Sequence, residues 1–359
     1  MSFFFMLNYR YNLKMETVVV YAPALDHTKL NHPEGRYRLE DLWRSLDEHG
    51  VLAELTAVSP QQATVAQLNQ VHSLNLINHI QRVSQNGGGL LDGGDTYATP
   101  LSYDLARLAA GSAITAVDQI MTGQAKNGFA LIRPPGHHAE RERISGFCLF
   151  NNVAAAARQA QVVHGAKRVL IFDFDVHHGN GTQDIFYDDD SVMFISTHLF
   201  IPRMFYPGTG NQQELGNSLG HGFTLNVPLL PNVGDVGYGR ILTELIRPKA
   251  KAFQPDLILV SAGYDAHWQD PLAMAGLSLT GYAQISRALV TLADELTNGR
   301  ILFVLEGGYQ PEALTYGILN TFYALIGQDK ILDPLGLTPH SEQDISHLLH
   351  QLKQRHLIY

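Results

Sequence analysis

Two acids and a histidine alternate along one short segment of this 359-residue chain. In RVLIFDFDVHHG, Asp173, Asp175 and His177 stand two positions apart, and Asp265 follows another apolar run. Because alternate residues of a strand share a face, the first three side chains are expected to point the same way where the strand ends. Three protein ligands, Asp175, His177 and Asp265, with an open fourth position describe a catalytic zinc site.

A buried ion-pair network without metal is the alternative interpretation of these acids. Carboxylates side by side in an apolar sheet are costly unless a positive charge offsets theirs. The strand ends that carry these acids contain no Lys or Arg, and the Arg of RVLIFDFDVHHG, Arg168, stands at the start of its strand. The sequence therefore favours a bound cation over a paired side chain.

His137 and His138 stand together in RPPGHHAE. Adjacent histidines need different partners if they are to hold different protonation states at neutral pH. Asp173 is the natural partner for one of them and Asn180 for the other. One histidine could then take a proton from a zinc-bound water while the other stays cationic. Loop residues or additional metal ligands are the simpler interpretations of the same pair.

Tyr309 follows two glycines at a strand end, in EGGY. A phenol aimed at the metal could hydrogen-bond a tetrahedral oxyanion. Tyrosines more commonly pack with a satisfied hydroxyl, so this position indicates a catalytic role only together with the other segments.

Short apolar runs that alternate with helix-like segments must position these residues. The strand-like runs are 18–21, 129–132, 169–174, 193–196, 257–261 and 301–305, and the helix-like segments are 103–121, 152–164, 238–251 and 281–296. This alternation predicts an α/β fold with a central, mostly parallel sheet flanked by helices on both faces. In such sheets, polar segments that follow different strands meet at one edge.

One domain over residues 15–326 is the simplest organisation, with an N-terminal extension at 1–14 and a C-terminal peripheral segment at 327–359 that is expected to form a helix. The first 14 residues lack the charged start, apolar run and cleavage site of a signal peptide. The sequence contains no uninterrupted apolar stretch of about 18 residues, so no membrane span is predicted.

The composition of the chain indicates which binding partners and which cellular compartment to expect. The formal net charge of -9, without a run of Lys or Arg, argues against direct nucleic-acid binding. Cys148 is the only cysteine, which excludes an intrachain disulfide and fits a reducing compartment such as the cytoplasm. An oligomer is compatible with the sequence.

Six motifs stand in the order seen in the histone deacetylase family, which this chain resembles from about residue 18 to 326. They are RPPGHHA, GFCLFNN, DFDVHHGNGTQDIFY, FYPGTG, SAGYDAHWQDPL and EGGY. HPEGRYRL, at 32–39, resembles the N-terminal motif of the family. The variants look closer to the class II-like and bacterial amidohydrolase branch, which includes acetylpolyamine amidohydrolases, than to class I enzymes.

The resemblance implies the arginase–deacetylase fold, a zinc ion at the three ligands named above, and a role for each neighbouring side chain. His138 looks like the general base and acid, His137 like its electrostatic helper, and Tyr309 like the oxyanion-stabilising tyrosine. Gly146, Phe147, Tyr206 and Leu272 match substrate-binding positions, with Phe147 and Tyr206 as aromatic walls of an acyl-chain tunnel.

Potassium is also implied by the resemblance, at two places. One ion is expected beside zinc, with ligands from Asp173, Ser196 and Thr197 and from the backbone oxygens of the zinc ligands on the same segment. A second, more peripheral ion is expected near Phe186, Asp189 and Val192.

Three positions depart from patterns within the family. Asn180 stands where class I members have Asp, so His138 should be less strongly held as a cation. The family's rim aspartate falls in LLDGGDTYATP, where Asp92 and Asp95 are both available. Leu272 stands where polyamine-preferring relatives carry a gatekeeping Glu, which fits a more general acyl-lysine or small acyl-amine substrate.

The predicted function is a zinc-dependent deacylase that hydrolyses the amide of acetyl-lysine or a related acylated amine. An acetylpolyamine or other small acyl-amine amidohydrolase is the alternative within this class. An arginase-like binuclear manganese enzyme would need acids where this chain has Gly179 and His267. A non-catalytic acyl-amine binding protein would be expected to have lost part of the site.

Overall fold

The computed structural model of the protein describes residues 16–358. The strands in chain order are β1 (Glu16–Ala22), β2 (Leu55–Val58), β3 (Gly89–Leu90), β4 (Tyr97–Ala98), β5 (Ala125–Ile132), β6 (Val169–Asp173), β7 (Val192–Leu199), β8 (Thr224–Leu229), β9 (Leu257–Ala262) and β10 (Ile301–Leu305). Eight of them form one sheet in the order β2-β1-β5-β10-β9-β6-β7-β8, and each neighbouring pair is parallel. β3 and β4 form a small antiparallel hairpin beside it.

Eleven α-helices are found in the described part of the chain. They are α1 (Leu42–Glu48), α2 (Val65–Leu68), α3 (Leu74–Gln85), α4 (Ser102–Met121), α5 (Asn152–Val162), α6 (Asn180–Phe186), α7 (Asp235–Ile241), α8 (Arg247–Phe253), α9 (Leu279–Leu296), α10 (Pro311–Leu325) and α11 (Ser346–Arg355). A π-helical turn over Leu242–Ile246 joins α7 to α8, so the helix predicted at 238–251 is continuous but wider in its middle.

The sheet separates two apolar cores, and alternate residues of one strand enter each. In β6, Leu170 and Phe172 belong to one core, while Val169 and Ile171 belong to the other. Helices α4 and α5 supply many alanines to the second core, whereas α7, α9 and α10 supply larger side chains to the first. Burial on both faces explains why these strands are continuously apolar. The predicted parallel α/β architecture is confirmed.

Each predicted strand corresponds to a strand of the sheet, but the two edge strands were not predicted. β2 is short and half-exposed along its length, and β8 contains Pro228. Pro lacks the N–H that a central strand must donate, so it is tolerated at an edge. β2 is only partly buried, and β8 places polar Thr224 and Asn226 among its apolar residues, so neither forms a continuous apolar run in the sequence.

The C-terminal segment packs into the domain. Leu349 and Leu352 of α11 are buried in the larger core. The carboxylate of Glu342 accepts the backbone N–H groups of Gly234 and Gly237 at the start of α7. The predicted extension at 1–14 lies outside the described residues. Within residues 16–358, the helices fall short of the length and apolarity needed to cross a membrane.

Candidate active site

The carboxyl ends of four neighbouring strands bring the predicted site residues to one edge of the sheet. Asp173, the last residue of β6, pairs in register with Ser261 on β9 and with Ser196 on β7. The loop after β5 carries the tandem histidines, the loop after β9 carries Asp265, and the loop after β10 carries Tyr309. Segments separated by more than a hundred residues therefore meet at one place.

Asp175, His177 and Asp265 form a compact group of donor atoms. One ligand atom from each lies within 4.8 Å of the others. The Nδ1 atom of His177 is 3.2 Å from Oδ1 of Asp175 and 3.2 Å from Oδ2 of Asp265. Donors around a tetrahedral ion with bonds of about 2 Å are separated by about 3.3 Å. The donor set and its spacing fit a zinc ion.

Backbone N–H groups fix the opposite oxygens of the two carboxylates. Oδ2 of Asp175 accepts the N–H of Gly307 at 2.8 Å, and Oδ1 of Asp265 accepts the N–H of Val176 at 2.9 Å. A Cβ atom added to Gly307 would lie 2.2 Å from Oδ2 of Asp265. Only glycine allows this close approach, so the EGGY loop and the carboxylates are built as one unit.

The two buried carboxylates of this group need a compensating positive charge, from a cation or from a proton. Asp175 and Asp265 are fully buried, and neither forms an ion pair with a Lys or Arg among the residues described. Burial alone would lower the pKa of His177, but its hydrogen bonds to Asp175 and Asp265 and their charges outweigh burial and raise this pKa to about 10. In the absence of a metal, a proton on His177 would supply the missing positive charge.

The two tandem histidines have different partners. Nδ1 of His137 is 3.0 Å from Oδ2 of Asp173, and Nδ1 of His138 is 2.7 Å from Oδ1 of Asn180. The ring centroids of His137 and His138 are 4.0 Å apart. Nδ2 of Asn180 donates to Glu140, so the amide oxygen faces His138 and the histidine must donate from Nδ1. Nε2 of His138 is then the free base.

The environments push the pKa values of the two rings apart. Burial lowers the pKa of His137, but Asp175 and Asp173 outweigh it and raise this pKa to about 10. Burial and the charges of His137 and His177 hold the pKa of His138 well below its usual value. A cationic imidazole beside a neutral one is the arrangement that general base catalysis requires of such a pair.

Tyr309 lies against the same group from the other side. Its ring centroid is 4.9 Å from the guanidinium carbon of Arg38 and 6.0 Å from the ring centroid of Phe147. No residue between 16 and 358 forms a hydrogen bond with its hydroxyl, and Tyr309 lines a cavity. The Nε atom of Arg38 donates to the carbonyl of Gly308 at 2.8 Å. Sequence reasoning gave Arg38 no role, although it stands in the HPEGRYRL motif.

A cavity of about 300 Å³ leads to these residues from the surface. Gly146, Phe147, Tyr206 and Leu272, the predicted substrate-binding positions, all line it. Phe147 adopts a positive φ of 67°, and its N–H donates to Oγ1 of Thr96 at 3.1 Å, which holds the ring at the wall. The cavity matches the size of pockets for small ligands or side chains.

Two further residues of the tunnel were not assigned from the sequence. Phe205 stacks on His177 with ring centroids 5.0 Å apart, whereas its neighbour Tyr206 meets His138 edge-on at 5.0 Å. Asp95 lines the tunnel, whereas Oδ1 of Asp92 accepts the N–H of Gly94 within its own turn. The structure thus favours Asp95 over Asp92 at the rim.

A second group of potential donors, His137, Cys148 and Glu306, is also buried and close together. The oxygens of Glu306 already accept the N–H groups of Gly136 and His137 and the hydroxyl of Ser261. Because these bonds occupy the carboxylate, we assign this group a structural role, in which Glu306 holds the loop of the tandem histidines.

The residues predicted to hold potassium lie at two separate places. Beside the zinc group, Oγ1 of Thr197 donates to the carbonyl of Asp173, and Oγ of Ser196 bonds His198. At the second place, Asp189 pairs with Arg158 at 2.7 Å. Phe186 packs against that arginine and Val192 begins β7. Potassium at either place stays a prediction.

Comparison with known proteins places the chain among related enzymes. A model of the histone deacetylase domain matches residues 32–325. Histone deacetylase 10, chloroplastic, from Oryza sativa subsp. japonica is 39% identical over 96% of this chain and 82% of its own length. A probable deacetylase from Archaeoglobus fulgidus is 39% identical over 87% of this chain and 86% of its own.

Two more relatives agree with this placement. The histone deacetylase-like amidohydrolase of Pseudomonas aeruginosa is 38% identical over 84% of this chain and 78% of its own length. The crystal structure of the HDA15 HD domain superposes with a TM-score of 0.87 at 36% identity, covering 95% of this chain and 96% of that one. From its motifs, its fold and these relatives, the chain belongs to the histone deacetylase family.

Proposed function

We propose that the protein is a zinc-dependent amidohydrolase that removes the acyl group from acetyl-lysine or a related acylated amine. The observation that carries this proposal is the position of His138, Tyr309 and the donor group of Asp175, His177 and Asp265 at the inner end of one tunnel. When bound there, zinc would polarise the amide carbonyl and lower the pKa of its water.

The chain's own residues supply the remaining chemistry. The free Nε2 of His138 can accept a proton from the attacking water and return it to the leaving amine. The cationic ring of His137, held by Asp173, offsets negative charge that develops nearby. The free hydroxyl of Tyr309 can donate to the oxyanion, an interaction that becomes stronger as the tetrahedral intermediate forms.

The tunnel supports a linear acylated amine as substrate. Phe147, Phe205 and Tyr206 give it aromatic walls, and Leu272 adds an apolar wall. Such walls suit the aliphatic chain of a lysine, whose charge is removed by acylation. Acetylated polyamines are the second candidate, since Asp95 offers one carboxylate at the mouth for a distal ammonium.

The test combines metal content with turnover. We expect about one zinc per chain by elemental mass spectrometry, and hydrolysis of an acetyl-lysine peptide that a chelator abolishes and zinc restores. Parallel assays with N-acetylputrescine and N-acetylspermidine decide between the two substrate classes. Ligand binding without turnover in the zinc-loaded protein would support a binding protein instead, and absence of zinc would contradict the proposal.

A further inference from the structure

One buried acid near the tunnel has no part in the chemistry described so far. Asp270 is 5% exposed and follows β9 in the DPL segment. Its Oδ1 accepts the N–H of Leu272 at 2.9 Å, which is a local turn. Its Oδ2 accepts the N–H of Tyr309 at 2.7 Å, across 39 positions of the sequence. One carboxylate therefore joins the loop of the tunnel wall to the loop of the tyrosine.

The backbone before Tyr309 shows why this bond matters. Arg38 holds the carbonyls of Glu306 and Gly308, and Asp175 holds the N–H of Gly307. Gly308 has a φ of +121°, a conformation that side chains rarely adopt. Since glycine rotates freely, the direction of the next residue depends on the bonds that hold the peptide unit between Gly308 and Tyr309, which are those of Arg38 to its carbonyl and of Asp270 to its N–H.

The ring of Tyr309 does not supply that restraint. It contacts Arg38 through its face and Phe147 through an edge, and its hydroxyl has no hydrogen-bond partner within residues 16–358. The N–H of Tyr309 makes its hydrogen bond to Asp270. Together with the bond of Arg38 to the carbonyl of Gly308, this bond fixes where the side chain leaves the backbone.

We propose that Asp270 is a positioning residue, which fixes the backbone of Tyr309, and through it the hydroxyl, relative to the tunnel wall at Leu272. The inference rests on the proposed function, because it takes Tyr309 as the donor to the oxyanion. Donors to an oxyanion act only within a narrow range of distance, so a displaced hydroxyl would cost turnover rather than substrate binding.

The first test is a double-mutant cycle with Asp270→Asn and Tyr309→Phe. The asparagine can accept only one of the two N–H groups, because its NH2 group is a donor. We expect Asp270→Asn to lower kcat on an acetyl-lysine peptide about 10-fold or more, with KM and zinc content unchanged. In the Tyr309→Phe background the same change should alter kcat by less than about 2-fold. Equal losses in both backgrounds would overturn the proposal.

The second test needs no activity. Hydrogen exchange followed by mass spectrometry should show faster exchange in the peptide that covers 306–312 when Asp270 is replaced. Asp235→Asn is the matched control, because Asp235 also anchors a backbone N–H, that of Ser278, away from the tunnel. We expect it to leave the 306–312 peptide and kcat unchanged. If Asp270→Asn does not fold, the shorter Asp270→Ser takes its place in both tests.

The two tests separate this proposal from the proposed function. A wild-type protein without zinc or amide hydrolysis would refute the proposed function, while the exchange of the 306–312 peptide would still decide whether Asp270 holds Tyr309. Unchanged exchange in Asp270→Asn would overturn the positioning role even in an active zinc enzyme.

Discussion

The buried acids near Tyr309 are Glu34 in one group of charged side chains and Asp175 and Asp265 in another, and the negative charge of each group is balanced in a different way. Glu34 lies between two guanidinium groups, with Oε1 2.6 Å from Nε of Arg133 and Oε2 bonded to Arg38. Asp175 and Asp265 meet only imidazole rings and backbone N–H groups in the described part of the chain. The first group is balanced by permanent guanidinium charges, whereas the second has only the titratable imidazoles of His137 and His177 beside it.

The difference separates a structural cluster from a reactive one. The guanidinium groups of Arg38 and Arg133 stay protonated throughout the pH range in which proteins are folded. They also donate hydrogen bonds to backbone carbonyls of loops. The proposed zinc ion beside Asp175 and Asp265 would leave a coordination position for a reactant. A permanent side chain in its place would fill the space that the substrate needs.

The largest effect should come from Asp175 and Asp265, which have no Lys or Arg partner among the described residues. We expect Asp175→Ala or Asp265→Ala to lose both zinc and activity, because each removes one of three protein ligands. Elemental analysis and the acetyl-lysine assay measure this. Asp256→Ala is the control, because Asp256 accepts the backbone N–H groups of Lys167 and Arg168 at the amino ends of the strands, opposite the site. Stoichiometric zinc in both site variants would refute the ligand assignment.

Tyr309, between the two groups, should have the next largest effect. Tyr309→Phe keeps the contacts of the ring with Arg38 and Phe147 but removes the hydroxyl. We expect kcat to fall about 10²–10³-fold, which is typical for loss of one oxyanion donor, while zinc content and unfolding midpoint stay unchanged. The loss should shrink for trifluoroacetyl amides, whose carbonyl needs less help. Wild-type turnover of acetyl-lysine would exclude the oxyanion role.

A change in the cluster of Glu34, Arg38 and Arg133 should lower the free energy of unfolding. Glu34→Gln leaves two buried guanidinium groups without a counterion, which is expected to cost about 3–5 kcal/mol in the free energy of unfolding. Denaturant unfolding at saturating zinc measures this change. Glu48→Gln is the matched control, since its pair with Arg44 is exposed and should contribute within about 0.5 kcal/mol. Excess zinc should not rescue Glu34→Gln.

The smallest expected effect is the pH dependence of the stability that Glu34 contributes. Burial would raise the pKa of Glu34, but the charges of Arg133 and Arg38 outweigh it and lower the pKa below its usual value. Its stabilisation is therefore complete above the unfolded pKa of about 4.5 and is lost only as pH falls through the lower folded value. We expect the penalty of Glu34→Gln to be equal at pH 8 and pH 5.5 and to shrink at lower pH. A penalty that changes between pH 8 and 5.5 would contradict this assignment.

The same contrast explains what the sequence could predict. The alternation of Asp173, Asp175 and His177 is local, so strand geometry indicated that their side chains could act together. The Glu34 cluster depends on contacts such as that of Arg38 with Gly308, which spans 270 positions. No periodicity encodes such a contact, so HPEGRYRL could be matched to a family motif without revealing what it holds. Asp270 was missed for the same reason.

The position of β10 also determines when this sheet can close during synthesis. β10 lies between β5 and β9, and Val304 pairs with Ala130 on one side and Ser261 on the other. Ala130 and Val304 are 174 positions apart (304 − 130), so a ribosome adding about 5–20 residues per second needs about 9–35 s to span them. Until then, the strands already made can form at most two separate half-sheets, β2-β1-β5 and β9-β6-β7-β8, each with an open edge that could pair wrongly. The residues of the tunnel meet only when the last central strand has left the ribosome.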